Sequence, residues 1–289
     1  MQQPKRSVAA ILVGLFLCGA FAAPAGAAEP SAETIARGKA LVEAGDCANC
    51  HTADPAKPFA GGRRIALPPF GAVYAPNLTP DRETGIGNWR DEDFVRALRH
   101  GIAPDGSRYY PAFPYPYFTK LIRNDMLAIR AYLATLEPVR KQTSPPELLF
   151  PFNFRVTMRL WNWLYLEPGI IMPDQAKGTD WNRGRYLVEA LGHCGGCHTP
   201  KSLFGADKSD RAFAGGNVDG VLAPRLDSAD GSALKSWTAE DLTEYLRNGR
   251  NGRSKAGPMM SEIIANSTSK MHEGDVRAMA IYLKSLPAR

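Results

Sequence analysis

Four of the five cysteines fall in two matching settings, Cys47-Ala48-Asn49-Cys50-His51 and Cys194-Gly195-Gly196-Cys197-His198. Two thiols three positions apart, followed at once by an imidazole, have the spacing for covalent attachment of one haem. The thiols add across the two vinyl groups of the porphyrin, and the histidine reaches the iron from the same side. A Cys-x-x-Cys pair also serves as half a zinc site or as an exchanging dithiol. Neither explains a histidine directly after both pairs, and the βαβ pattern that accompanies such dithiols is missing from the sequence. The motifs therefore predict two covalently bound haem c groups, held by Cys47 and Cys50 and by Cys194 and Cys197. His51 and His198 are the expected axial iron ligands.

The fifth cysteine, Cys18, lies in an apolar stretch from Val8 to Phe21 that follows Lys5 and Arg6 and precedes Ala25-Gly26-Ala27. This is the layout of a secretory signal peptide, and the stretch is shorter than the ~20 residues of a spanning helix. Residues 1–28 are expected to be removed on export to the periplasm. Four thiols left in an oxidising compartment pair with one another unless another chemistry uses them. The composition, 44% hydrophobic and 22% charged, is that of a folded globular chain. Its net charge of +6 is dispersed, with no lysine/arginine block, so no nucleic-acid partner is expected.

The sequence around the motifs repeats itself. Residues 36–52 (ARGKALVEAGDCANCHT) align with residues 182–199 (NRGRYLVEALGHCGGCHT). FAGG recurs at Phe59 and Phe213, Ala-Pro-x-Leu at Ala75 and Ala223, and Trp89 matches Trp237. ALRHG from Ala97 matches YLRNG from Tyr245, and AIRAYLATLEP from Ala128 matches AMAIYLKSLP from Ala278. A duplicated domain follows, at 29–137 and 180–289, with a connector at 138–179. Each copy reads as helical. Apolar residues at helical spacing precede each motif (Ile35, Leu41, Val42; Tyr186, Leu187, Leu191). A second helix after each tryptophan stops at Gly101 or Gly249, with Thr238 and Asp241 forming a capping box in the second copy. A third starts near Asp125 or Asp275. The connector carries Phe150, Phe152, Phe154, Trp161, Trp163 and Tyr165 among prolines. It reads as packing between the domains, as a docking surface for a dehydrogenase, or as a lid over the first haem. Arg155, Arg159 and Glu167 exclude a membrane span.

YPAFPY, FPFN, WNRGRYLVE, LGHCGGCHTP and GPM give the chain, over essentially its whole length after residue 28, a resemblance to a known family. It resembles the cytochrome c subunits of membrane-bound quinohaemoprotein alcohol dehydrogenases and of related sugar and aldehyde dehydrogenases. Those subunits usually carry three haem domains, so this sequence looks like a shortened two-haem form, a kind also found beside molybdenum-containing hydroxylases. The resemblance implies a mainly α fold of two tandem class I cytochrome c domains, with Gly38 against Tyr132 and Gly184 against Tyr282 where first and last helices cross. In electron-carrying cytochromes c a methionine commonly takes the sixth iron position. Met259, sixty-one residues after His198, stands in the family's ligand position, with Met260 beside it. In the first domain that position is Phe113, which has no donor. Met158, Met126, His100, water or an open site remain as alternatives there, and Met158 is the leading one. His193 is expected to be structural and His272 exposed.

No catalytic constellation is visible: there is no Ser/His/Asp set, second metal site or phosphate-cradling loop. The expected function is a periplasmic dihaem electron carrier and non-catalytic subunit. Its expected partners are a quinoprotein, flavoprotein or molybdenum dehydrogenase and a downstream respiratory acceptor, with membrane contact only through a partner. The rival is a haem enzyme of peroxidase or thiosulfate dehydrogenase type working at an open first haem. A gas-binding sensor is a third reading.

Overall fold

Each thiol motif follows directly on a helix, and the way that helix ends aims the motif. The computed structural model describes residues 29–289, so the expected signal peptide lies outside the described residues. Helix α1 (Ala32–Ala44) starts at Ser31, whose hydroxyl accepts from the Thr34 N–H, and ends at Gly45. Asp46 then adopts a left-handed φ of 52° and turns the chain into α2 (Cys47–His51). An antiparallel hairpin follows, β1 (Arg64–Leu67) and β2 (Gly71–Tyr74), then α3 (Asp91–His100), the single turn α4 (Tyr115–Phe118) and α5 (Arg123–Leu133).

The connector supplies β3 (Glu147–Leu148), which adds to the hairpin beside β2, and α6 (Thr157–Tyr165). The chain then runs through α7 (Thr179–Tyr186), α8 (Gly195–His198), the short hairpin β4 (Gly216–Val218) and β5 (Val221–Ala223), α9 (Ala239–Asn248), α10 (Pro258–Asn266) and α11 (Glu273–Lys284). Among the described residues no helix is long and apolar enough to cross a membrane.

The approach to the second motif differs from the first by one residue, and the backbone shows where it went. From Gly38 to Cys47 the chain takes nine steps; from Gly184 to Cys194 it takes ten. The extra residue is absorbed as a π-helical turn, Leu187–Leu191, closed by Gly192 N–H donating to the Leu187 carbonyl at 2.7 Å. Thr238 and Asp241 form the expected capping box, with Asp241 N–H on the Thr238 hydroxyl at 3.0 Å and Thr238 N–H on the Asp241 carboxylate at 2.9 Å. Gly101 and Gly249 end α3 and α9 in the left-handed conformation.

Two helix crossings organise the core. Gly38 of α1 meets α5 so closely that a β-carbon there would strike the Ala128 carbonyl and stand 2.9 Å from Tyr132 Cβ. Gly184 of α7 meets α11 in the same manner, against the Ala278 carbonyl and 2.8 Å from Tyr282 Cβ. Beside each crossing an arginine of the first helix pairs with an aspartate of the last. Arg37 Nε lies 2.7 Å from the buried Asp125, and Arg183 Nε lies 2.8 Å from Asp275. Val42, Leu133, Leu187 and Val276 are almost fully buried around these crossings, each contributing about 2 kcal/mol of apolar transfer.

The halves are tied together through polar groups as well as packing. Tyr186 donates its hydroxyl to Asp125 Oδ2 at 2.7 Å and accepts from the Ile122 N–H at 3.2 Å. Removing that oxygen leaves a buried carboxylate and a backbone donor each short of a partner. Tyr186→Phe is expected to lower unfolding stability by about 1–2 kcal/mol, read from the denaturant midpoint at unchanged slope. The connector is fastened mainly to the first half. Tyr110 donates to the Phe152 carbonyl at 2.8 Å, Tyr115 to Asn162 Oδ1 at 2.6 Å, and Arg155 to the Arg108 carbonyl at 2.9 Å. Ties also reach the second half, from the Trp161 indole N–H to the Phe204 carbonyl at 2.9 Å and from the Asp174 N–H to Asn182 Oδ1 at 2.7 Å.

Candidate haem sites

A single helical turn carries each thiol pair and its histidine, so the three side chains leave the backbone within one turn of each other. All four cysteines are free thiols and half-buried. Burial pushes Cys47 and Cys194 up to about 12, and it also raises Cys50 and Cys197. Among the described residues, no group of three or more His, Cys, Asp or Glu side chains converges as a metal site.

The histidines are held by backbone. His51 Nδ1 lies 2.8 Å from the Pro76 carbonyl oxygen, and His198 Nδ1 lies 2.7 Å from that of Pro224. A carbonyl only accepts, so Nδ1 carries the proton in each ring and Nε2 keeps its lone pair for iron. Burial lowers both imidazole pKa values, with the proline carbonyls acting in the opposite sense, so the rings are neutral and fit to ligate. The repeated Ala-Pro-x-Leu thus acts through a main-chain oxygen. The repeated FAGG closes the same turn from the other side, with Gly61 N–H donating to the His51 carbonyl at 2.8 Å and Gly215 N–H to that of His198 at 2.9 Å. Thr52 and Thr199, one residue beyond each histidine, accept from the Phe59 and Phe213 N–H groups at 3.0 and 3.1 Å. Two thiols on one helical turn, a fixed imidazole tautomer and a free Nε2 together fit a covalently attached haem at both motifs.

The two motifs stand back to back. A β-carbon on Gly45 would lie 3.3 Å from Leu191 Cδ1 and 3.4 Å from Cys47 Sγ. One on Gly192 would lie 3.7 Å from Cys194 Sγ and 3.9 Å from the Ala44 carbonyl oxygen. The turn before each motif is therefore packed against the other. His193 is part of this contact: its ring meets Phe118 edge-on with centroids 5.8 Å apart. That is a structural role. Tyr117, from the first half, lies against the Gly195 backbone of the second motif and hydrogen-bonds Asp207.

The methionines are sorted by their surroundings. Met260 packs against the main core, whereas Met259, beside Pro258 at the start of α10, is half-buried and outside it. Met126 is 0% exposed within the main core, with Arg99 Nη2 at 4.0 Å from its sulfur. Met158, 6% exposed, belongs instead to the smaller cluster of Tyr110, Tyr115, Trp161 and Ala206, against which Phe113 also packs. Phe113 stacks edge-on to Tyr109 and Phe118 at 5.4 and 5.8 Å. His100 ends α3, and its carbonyl accepts from Asn162 Nδ2 at 3.3 Å. His272 is exposed and caps α11, accepting from the Gly274 N–H.

One polar network around the first motif had no signal in the sequence. Asn49, inside the motif, donates to Asp46 Oδ2 at 2.9 Å and receives Arg63 on its carbonyl at 2.8 Å. Arg63 also grips Glu262, a residue of the distant α10. Asp46 is largely buried, which pushes its carboxyl up to about 7.

A family model described as cytochrome c matches residues 35–137. The chain is 43% identical to a nicotinate dehydrogenase subunit of Pseudomonas putida over 266 residues, which cover 91% of this chain and 22% of the relative. It is 38% identical to the fructose dehydrogenase cytochrome subunit of Gluconobacter japonicus, over 92% of this chain and 54% of the relative. It is 38% identical to a diheme cytochrome c-type protein of Cereibacter sphaeroides, over 87% of this chain and 86% of the relative. Against the dehydrogenase-subunit relatives the chain spans between 22% and 61% of their length.

Proposed function

The chain belongs to the cytochrome c family, and from that premise we propose that it is a periplasmic two-haem electron-transfer subunit serving a dehydrogenase. Residues 29–137 and 180–289 are two tandem class I cytochrome c domains. Cys47, Cys50 and His51 hold one haem c, and Cys194, Cys197 and His198 hold the other. Met259 is the sixth ligand of the second and Met158 that of the first. When bound, each haem supplies a one-electron iron couple.

The rest is the work of the chain's own residues. The Pro76 and Pro224 carbonyls keep each imidazole in one tautomer and one orientation, as the outer partner of a metal-ligating histidine does. Packing of Gly45 against Leu191, and of Gly192 against Ala44, keeps the two attachment turns in contact, a layout suited to electron exchange within one chain.

Two relatives are named as nicotinate and fructose dehydrogenase subunits, which supports a dehydrogenase as donor, of quinoprotein, flavoprotein or molybdenum type. The acceptor is a respiratory carrier. The single observation that carries this reading is the twice-built set of two thiols and a backbone-pinned imidazole on one helical turn. Intact-mass measurement of the exported protein is expected to show two porphyrins added to one polypeptide. A colourless protein, or one with a single porphyrin, would defeat the reading.

Phe113 in the usual ligand position favours the second reading, a haem enzyme with an open first site. The relatives named as dehydrogenase subunits support the carrier instead. Optical and EPR spectra separate the two readings: two low-spin centres are expected, and a high-spin first centre that binds cyanide would favour the enzyme.

A further inference from the structure

One ion pair joins the first attachment motif to the helix that begins with the second site's methionine. Arg63 Nη1 donates to the Asn49 carbonyl at 2.8 Å and also to Asn49 Oδ1, and Asn49 directly precedes Cys50. The same guanidinium makes a two-point contact with Glu262, Nη1 to Oε1 at 2.6 Å and Nη2 to Oε2 at 3.2 Å, across 199 positions of sequence. Glu262 lies on α10, less than one turn beyond Met259. The far end of that helix is fastened to the first half as well, because the buried Ser267 donates its hydroxyl to the Ala44 carbonyl at 3.2 Å. Helix α10 is therefore held at its middle and its end by residues on either side of the first motif. A forked guanidinium–carboxylate pair fixes direction as well as distance, which a single-point lysine contact does not.

We propose that Arg63 and Glu262 are positioning residues for the second centre, keeping α10, and with it Met259, in ligating register by fastening that helix to the attachment turn of the first centre. The inference rests on the reading above in which Met259 is the second haem's sixth ligand. Both act through the helix that carries that ligand.

The test uses the haem-loaded full protein. Imidazole is titrated against the oxidised form while the long-wavelength thioether-to-iron absorption is followed. The second centre's share of that absorption is the part missing from Met259→Ala. Arg63→Gln and Glu262→Gln are each expected to lower the imidazole concentration that half-removes this share by about five-fold, the equivalent of about 1 kcal/mol for a partly exposed pair. The double variant Arg63→Gln/Glu262→Gln is expected to lose no more than the larger of the two single effects, because either change already breaks the pair. Single variants that leave the titration unchanged, or a double variant whose loss is the sum of the two single losses, would overturn the pairing. If Met259→Ala keeps the full absorption, the ligand assignment beneath the inference fails instead.

Discussion

Replacing Met259 by alanine is expected to lower the midpoint potential of the second centre by at least about 0.1 V, within the ~0.8 V over which axial ligands set haem potentials. The same change removes that centre's thioether-to-iron absorption. Met260 is the built-in control, because the two side chains are adjacent and chemically alike. Met260 packs against the core, so Met260→Ala should cost stability and leave the potential in place. Met259 stands at the mouth of α10, where Pro258 at the first helical positions pre-sets the backbone and the helix needs no apolar anchor. Potentiometric titration of the two variants side by side decides between them. A drop in potential for Met260→Ala and none for Met259→Ala would reverse the assignment. Met158→Ala puts the same question to the first centre. There the cluster of Tyr110, Tyr115 and Trp161 keeps the replaced side chain's cavity away from solvent.

The layout of the two motifs was legible in the sequence because it depends on side chains at fixed spacing. Cys-x-x-Cys-His needs only one helical turn to assemble, and the structure supplies that turn twice. Helix ends were legible for a similar reason: Gly101, Gly249 and the Thr238/Asp241 pair act within a few residues of themselves. What lay beyond reading acts through the main chain or across long separations. The carbonyls of Pro76 and Pro224 hold the histidines, yet any residue type carries a carbonyl. The extra residue before Cys194 was visible as an insertion, but a loop would have absorbed it as easily as the π turn at Leu187–Leu191 does. The small sheet was missed because β1 and β2 are four residues each and β3 arrives from the connector, too short for alternation to register. The aromatic richness of the connector pointed to packing, and α6 does bury Met158, Trp161 and Asn162. Its opposite face stays open, with Trp163 at 79% and Leu160 at 60% exposure. Helical spacing shows that two faces exist; only the fold shows which one is covered.

Introducing valine at Gly184 is expected to cost about 3 kcal/mol or more, the upper part of the range for overpacking, and Gly38→Val should behave alike. At most positions a larger side chain finds relief by changing rotamer. Here the first carbon itself is the obstacle, since it would collide with the Ala278 carbonyl and sit 2.8 Å from Tyr282 Cβ. Both opposing groups belong to the backbone or its first attached atom, so neither moves without shifting α11. A shift of α11 in turn disturbs Arg183 on Asp275, 2.8 Å apart at the same crossing. Against the roughly 5–15 kcal/mol that a domain typically has in total, such a loss takes a large share of the second half's stability. Gly169→Ala serves as the reference, because a β-carbon there meets nothing within 4 Å, and it should change stability by less than about 0.5 kcal/mol. Denaturant unfolding followed by circular dichroism gives both values. Equal midpoints for Gly184→Val and Gly169→Ala would mean that α7 and α11 do not cross at the distance seen here. The two attachment sites would then lose the rigid frame on which their spacing depends.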